Sequence, residues 1–228
     1  MYTLHIGNKN YSSWSLRPWV LMKTLGIPFE EKLSPFLEGG SWSAFRAFSP
    51  TGLVPVLDDG EITVWESLAI VEYLAERHSG VWPVDTVARA WARSATAEMH
   101  AGFSTLRNIC TMNCGIRVVL KENPKALQDD VARFTELWND GLRHFGGPYL
   151  AGDKFTAVDA FFAPVAFRVQ TYGLVLDAVS EDYVAMLLRQ PAMVEWYDAG
   201  LRETFREPAH EDDARAAGTW TADLRATA

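Results

Sequence analysis

Cysteine is scarce in this chain, which has two among 228 residues, Cys110 and Cys114. They lie four positions apart in a segment whose periodicity predicts a helix, and side chains one helical turn apart rarely meet the geometry of a disulfide. We therefore expect two reduced thiols that serve packing. A zinc site would need further ligands, and only His100 lies nearby, so the pattern predicts no metal.

Positive charge and long apolar runs are also lacking. Lys and Arg number 21 against 29 Asp and Glu, a formal net charge of −8, and no dense basic run occurs. We therefore expect neither nucleic acid nor a membrane surface as a partner. No run approaches the roughly 20 apolar residues that span a bilayer, and residues 1–5 lack the basic and apolar regions of a signal peptide. We expect a cytoplasmic protein.

Hydrophobic residues, in contrast, make up 48% of the chain and include nine Trp, so a disordered segment is excluded. A chain of this length hides about 70% of its unfolded surface and can bury a substantial core. Hydrophobic periodicity predicts a βαβ unit followed by a ββα unit. The predicted elements are strand 2–6, helix 18–25, strand 29–33, strands 54–57 and 62–65 joined by a turn at 58–60, and a helix from residue 68 to residues 78–80.

Strand patterns disappear after Pro83, and the rest of the chain predicts helices separated by Gly and Pro breaks. We therefore predict two domains. An α/β domain covers residues 1–80, and an all-helical domain covers residues 87–228. The tail over residues 207–228 is either mobile or folded back over the domains.

A capping box is predicted at Thr156-Ala-Val-Asp159. In this arrangement the Thr hydroxyl and the Asp carboxylate satisfy amides at the start of a helix reciprocally, and Phe155 is placed to act as a hydrophobic staple. We therefore expect Asp159 to be a folding residue and exclude it from the site.

Three further segments lie where one element gives way to the next. The first, residues 10–18, reads Asn-Tyr-Ser-Ser-Trp-Ser-Leu-Arg-Pro between a strand and a helix. Taken alone, its serines could simply cap the helix. The second is Gly52–Leu57, with a Val-Pro-Val string in a strand. The third is the pair Glu66-Ser67, where a strand runs into a helix.

With the domain order, these four segments resemble the cytosolic glutathione S-transferases of the serine type. The stretch Ser12–Arg17 is similar to the zeta-class pattern S-S-x-S-x-R, the class of maleylacetoacetate isomerase-like members. The resemblance covers almost the whole chain. It implies a thioredoxin-like N-terminal domain followed by an all-α C-terminal domain, glutathione as co-substrate without a metal, and a homodimer.

In that family a loop hydroxyl hydrogen-bonds the glutathione sulfur and favours thiolate over thiol. The resemblance implies this role for Ser13 first and for Ser12 second, with Ser15 as the helix cap. Trp14 stands where the zeta class carries Cys. This departure disfavours disulfide chemistry in the loop and counts against isomerisation of the zeta type.

The resemblance also implies how glutathione would be held. The Val54–Pro55 bond is expected to be cis, with the Val54 backbone pairing with the cysteinyl unit. Ser67 and its amide would bind the γ-glutamyl carboxylate, and Glu66 would accept from the ligand's amino group. Taken alone, Val-Pro-Val could be an edge strand and Ser67 a structural cap.

The electrophile pocket is expected on a helix over residues 98–113, where Phe103, Arg107 and Met112 could face the sulfur. Aromatic and Met residues at helical spacing are more often core, and Arg107 could simply pair with a helix neighbour. As a cation near the thiolate, Arg107 would favour anionic or carboxylate-bearing electrophiles.

The leading functional hypothesis is a glutathione transferase that adds the thiolate to a small hydrophobic electrophile. The alternatives are a non-catalytic glutathione-binding or regulatory protein of the same fold and a zeta-like isomerase. The presence of Ser12, Ser13, Glu66 and Ser67 favours an enzyme. A disulfide reductase is least favoured, because it would need a cysteine in the loop.

Overall fold

The computed structural model describes residues 1–225 and begins with a four-stranded sheet. Its first elements are β1 (Tyr2–Ile6), α1 (Ser13–Leu25), β2 (Phe29–Leu33), α2 (Trp42–Phe45), β3 (Val56–Asp59), β4 (Ile62–Trp65) and α3 (Ser67–Ala75). The strand order is β2-β1-β3-β4, with β1 parallel to β2 and β3 antiparallel to both of its neighbours. The predicted βαβ and ββα order and the thioredoxin-like fold are confirmed.

Two boundaries in this part differ from the prediction. Helix α1 begins at Ser13 rather than Pro18, because the Ser12 side chain caps the helix earlier and Pro18 lies inside it. The predicted cap at Ser15 is therefore wrong. Strand β3 begins at Val56 rather than Val54, because Pro55 has no N–H to donate to a neighbouring strand.

The second part of the chain is mainly helical, as predicted. Its elements are α4 (Thr86–Ala101), α5 (Ser104–Ile109), β5 (Ile116–Leu120), α6 (Lys125–Phe145), α7 (Ala157–Tyr172), α8 (Ala178–Leu188), α9 (Pro191–Arg202), α10 (Pro208–Ala217) and β6 (Gly218–Asp223). Within residues 1–225, none of the helices is long and apolar enough to cross a bilayer.

Sequence analysis missed the antiparallel pair formed by β5 and β6. Both strands are short and lie far apart in the chain, so no local turn indicates their pairing. The pairing folds the C-terminal segment back onto the helical part. Residues 226–228 of the predicted tail lie outside the described residues.

The single helix predicted over residues 98–113 is wrong. Helix α4 ends at Ala101, and Phe103 then adopts a left-handed conformation (φ 55°) that interrupts the helical path before α5. Cys110 and Cys114 lie after α5 rather than within a helix. Both are free and buried, and burial raises their thiol pKa values, that of Cys110 to about 12. The expectation of unpaired packing thiols is confirmed.

Helix α7 packs against both α1 and α4 and so joins the two parts of the molecule. The predicted capping box is present at its start. The fully buried Asp159 carboxylate accepts from the N–H of Thr156 at 2.9 Å and of Leu150 at 3.0 Å, and from the Tyr183 hydroxyl at 2.9 Å. Burial nevertheless raises the pKa of Asp159 to about 6.

Candidate active site

The loop between β1 and α1 brings the serine cluster to the start of a helix. Ser12 Oγ accepts from the Ser15 N–H at 3.4 Å and donates to Ser15 Oγ at 2.8 Å. Ser15 Oγ in turn accepts from the Gly7 N–H at 3.1 Å. These two hydroxyls are therefore occupied within the loop. Ser13 is the first residue of α1, and its hydroxyl has no protein partner among residues 1–225.

A cavity of about 610 Å³ opens beside this loop. Five of the residues predicted from sequence line it, namely Ser12, Ser13, Val54, Arg107 and Met112. Its other walls include Trp14, Phe36, Trp42, Arg168 and His210. The fold thus gathers the serine loop, the residues before β3, helix α5 and the start of α10 around one space.

The residues predicted to hold glutathione lie at two places. Val54–Pro55 is a cis peptide, as expected, and only Val54 reaches the cavity wall. Glu66 and Ser67 lie outside that wall, where β4 meets α3. Glu66 is exposed and has a left-handed backbone (φ 69°), whereas Ser67 is fully buried.

The Ser67 hydroxyl has no hydrogen-bond partner within the described part of the chain. Leaving such a buried group unpaired costs roughly 1–3 kcal/mol. The hydroxyl stands at the first residue of α3, where helix amides also lack intrahelical partners and favour negative charge. This end of α3 can therefore accept an anionic ligand group.

A buried guanidinium lies behind the serine loop. Arg17 is sandwiched between the rings of Trp14 and Phe161, at 4.0 and 4.7 Å from their centroids. Its Nε and Nη1 have no partner among residues 1–225. Burial, reinforced by the charges of Arg168 and Arg107, holds the pKa of Arg17 well below its ordinary value. Three arginine side chains are thus clustered on this side of the cavity.

Two of these arginines line the cavity itself. Arg168, on α7, donates from Nε to the Cys110 carbonyl at 2.7 Å and from Nη1 to the Pro164 carbonyl at 3.3 Å. Burial lowers its pKa to about 10, so it remains a cation at neutral pH, and no carboxylate pairs with it within residues 1–225. Arg107, on α5, donates to the His100 carbonyl at 3.0 Å. The cavity wall can therefore attract an anion.

The C-terminal segment holds the serine loop in place. The Glu203 carboxylate accepts from the backbone N–H of Lys9 at 2.6 Å and of Asn10 at 3.1 Å. The Tyr11 hydroxyl donates to Glu211 at 2.6 Å, and burial raises the pKa of Tyr11 to about 12. Loop and C-terminal segment therefore form one hydrogen-bonded unit.

Two family models match the chain over most of its length. Residues 11–77 match the N-terminal domain of glutathione S-transferases, and residues 89–199 match the C-terminal domain of the same family. The chain belongs to the glutathione S-transferase family. The relatives and the solved structure described next are distant from this chain in sequence.

A probable maleylacetoacetate isomerase from Vibrio cholerae is 26% identical over 145 residues, which cover 60% of this chain and 67% of that protein. A zeta-class glutathione S-transferase from Euphorbia esula is 26% identical over 157 residues, covering 67% and 70% of the two chains. A glutathione transferase homologue from Burkholderia, solved with bound glutathione, superposes with a TM-score of 0.66 at 23% identity. This match covers 87% of this chain and 97% of that one and shows a shared fold.

Phe103, predicted to face the electrophile, lies in the core of the protein. It is 6% exposed, packs against Phe134 with ring centroids 6.4 Å apart, and is absent from the cavity wall. Sequence analysis missed Arg168, although a charged residue inside an apolar helical run was a usable signal. It also missed His210, which no local pattern indicates. Within residues 1–225, no cluster of three or more His, Cys, Asp or Glu side chains is placed to hold a metal ion.

Proposed function

We propose that this protein is a glutathione transferase in which the Ser13 hydroxyl donates a hydrogen bond to the glutathione sulfur and stabilises the thiolate. The observation that carries the proposal is the position of Ser13, on the cavity wall at the first residue of α1, with its hydroxyl unengaged by the described residues. A helix N-terminus and a hydrogen bond to the charged form both lower a thiol pKa. Ser12 remains the second candidate, and its bond to Ser15 favours Ser13.

Glutathione would lie along the N-terminal part, between the cavity and the start of α3. In this arrangement the Val54 backbone, followed by Pro55, pairs with the cysteinyl unit. Ser67 and its amide bind the γ-glutamyl carboxylate, and the exposed Glu66 accepts from the ligand's amino group. The buried Ser67 hydroxyl has no partner within residues 1–225, and this supports the placement because a ligand oxygen would supply one.

The electrophile would occupy the rest of the cavity and be small and largely hydrophobic, since Trp14, Phe36 and Met112 form much of its wall. Arg107 and Arg168 would favour electrophiles that also carry a carboxylate. In this proposal residues 1–80 bind glutathione, and residues 87–228 supply the electrophile pocket together with Trp14 and Phe36. The protein would act as a homodimer in the cytoplasm, where thiols stay reduced.

Titration of bound glutathione tests the serine mechanism. A free thiol with a pKa near 8.5 is mostly protonated at neutral pH, so extra ultraviolet thiolate absorbance on binding reports activation. Loss of one hydrogen bond to a charged group costs about 1.5–3 kcal/mol, so Ser13→Ala should raise the pKa of the bound thiol by about 1–2 units. Ser67→Ala should instead weaken binding of glutathione without that shift.

Ser94→Ala is the matched control, because the exposed Ser94 hydroxyl on α4 donates only to the Ala90 carbonyl and should leave both readouts unchanged. A shift in Ser12→Ala but not in Ser13→Ala would transfer the role to Ser12. Saturable binding without thiolate in the wild type would indicate a non-catalytic binding protein. No binding at all would refute the proposed function.

A zeta-like isomerase is the second candidate, favoured by the names of the relatives and opposed by Trp14 at the position of the zeta cysteine. The two reactions differ in what happens to glutathione. Conjugation consumes one glutathione per turnover, whereas isomerisation returns it. Incubation of a cis-enedione with less than one equivalent of glutathione distinguishes the two reactions. Conversion of more enedione than the glutathione supplied would establish isomerisation.

A further inference from the structure

A histidine and a carboxylate from the C-terminal segment also face the cavity. Glu207 is the N-cap of α10, and His210 lies in the first turn of that helix. Glu207 Oε2 accepts from the His210 backbone N–H at 2.7 Å and lies 2.7 Å from His210 Nδ1. Both residues line the same cavity as Ser13.

The imidazole ring is held from several sides. Phe36 stacks on it with ring centroids 5.8 Å apart and an interplanar angle of 18°, and the Tyr11 ring lies 5.2 Å away. Tyr11 is uncharged near neutral pH, because burial raises its pKa to about 12. Glu207 is the charged side chain that bonds to the ring.

The hydrogen bond to Glu207 leaves the other ring nitrogen free. With Nδ1–H donated to the carboxylate, Nε2 becomes the atom that exchanges protons, and Nε2 has no partner among residues 1–225. The His210 side chain is 33% exposed, so this edge of the ring is accessible. Helix capping alone needs only the backbone N–H of His210, and it does not account for a fixed ring on the cavity wall.

We propose that Glu207 and His210 form a proton-transfer dyad for the electrophile, with His210 as the catalytic acid and Glu207 as the residue that positions it. The inference rests on the proposed transferase function and adds a substrate class to it. That class is electrophiles in which a carbon–carbon double bond is conjugated to a carbonyl group. An imidazole held by a hydrogen bond at one ring nitrogen can transfer a proton at the other, which suits one proton transfer per turnover.

The thiolate sulfur forms a bond to the β-carbon, and the π electron pair of the double bond moves onto the α-carbon and the carbonyl oxygen as an enolate. Protonated His210 gives its Nε2 proton to this enolate and becomes neutral. It then regains from water the equivalent of the proton that the glutathione thiol released on ionisation.

Two probes separate this role from activation of glutathione. Addition to benzylideneacetone needs a proton at carbon, whereas substitution on chlorodinitrobenzene expels chloride and needs none. General acid catalysis is worth about 10²–10⁴-fold, so His210→Gln should lower the ratio of kcat/KM for addition to kcat/KM for substitution by about 100-fold or more. Glu207→Gln keeps an acceptor for Nδ1 but removes the charge, and it should lower the ratio by a smaller factor.

The exposed His144 on α6 gives the matched control, and His144→Gln should leave the ratio unchanged. Equal losses of kcat/KM on both probes in His210→Gln would mean that His210 is only a structural residue and would overturn the proposal. No loss on either probe would also overturn it. If the wild type forms bound thiolate yet adds nothing to benzylideneacetone, the dyad is refuted while serine activation stands. If no thiolate forms, the transferase function itself fails.

Discussion

The buried carboxylate at the start of α7 should make this protein less stable as the pH rises towards 6 and above. The pKa of Asp159 is raised from 3.8 to about 6, chiefly by burial. Because the folded value exceeds the unfolded value, the folded state binds the proton more tightly. This contribution is fully present below pH 3.8 and is lost as the pH rises through about 6.

The size of the effect follows from the shift. A difference of about 2 pKa units corresponds to about 3 kcal/mol of the free energy of unfolding. According to proton linkage, about 2 kcal/mol of this loss in the free energy of unfolding occurs between pH 4.5 and pH 7.5. Other groups titrate over the same range, so the contribution of Asp159 must be isolated by comparison with a variant.

Asp159→Asn is the informative substitution, because it keeps the shape and one acceptor oxygen but cannot ionise. The NH2 group of the variant amide would face the N–H donor of Thr156 or of Leu150. This contact between two donors should lower the free energy of unfolding of the variant by about 1–3 kcal/mol relative to the protonated wild type, and this term does not depend on pH. Wild type should therefore be the more stable at pH 4.5. The gap between the two proteins should narrow by about 2 kcal/mol by pH 7.5.

Urea unfolding followed by tryptophan fluorescence across this pH range measures the gap directly. Asp153→Asn, at an exposed position in the preceding turn, is the matched control and should follow wild type within about 0.5 kcal/mol. A gap between wild type and Asp159→Asn that stays constant with pH would refute the reasoning, since it would mean that the ionisation of Asp159 does not change on folding.

The capping hydroxyl and the cavity cation give two further predictions. Thr156→Ala should lower the free energy of unfolding by about 1 kcal/mol, with Thr156→Ser close to wild type, and identical thermal denaturation curves for all three would contradict a role for the cap. Arg107→Ala should reduce kcat/KM about 10-fold more for a carboxylate-bearing electrophile than for its neutral ester, because a charge-assisted contact is lost. Equal reductions on both substrates would remove the proposed role of Arg107 in anion binding.

Much of the N-terminal part could be predicted because its signals are local. Alternating apolar residues mark β1 and β4, a glycine in left-handed conformation closes α1 at Gly26, and short connections restrict the order of the elements. The capping box at Thr156 is equally local, and it is confirmed. The early start of α1 was missed because Pro18 suggested a first helical residue, while Ser12 supplies the cap.

The candidate site was only partly predictable. Ser12, Ser13 and Val54 lie in short motifs, and the cavity does bring them together. Phe103 was misplaced because its own left-handed conformation interrupts the predicted helix at that residue, and its side chain packs in the core against Phe134. Arg168 and His210 reach the cavity from α7 and α10, and their relation to the serine loop exists only once the chain has folded.

Local sequence therefore determines the fold class, the sequence of strands and helices at the N-terminus and the serine cluster at a helix start, because periodicity, caps and turns act within a few residues. Tertiary structure alone decides the pairing of β5 with β6, the hold of Glu203 and Glu211 on the serine loop, and the position of the Arg168 guanidinium on the cavity wall. These features depend on contacts between residues far apart in the chain. Their partners are set by packing and desolvation, which no window of sequence contains.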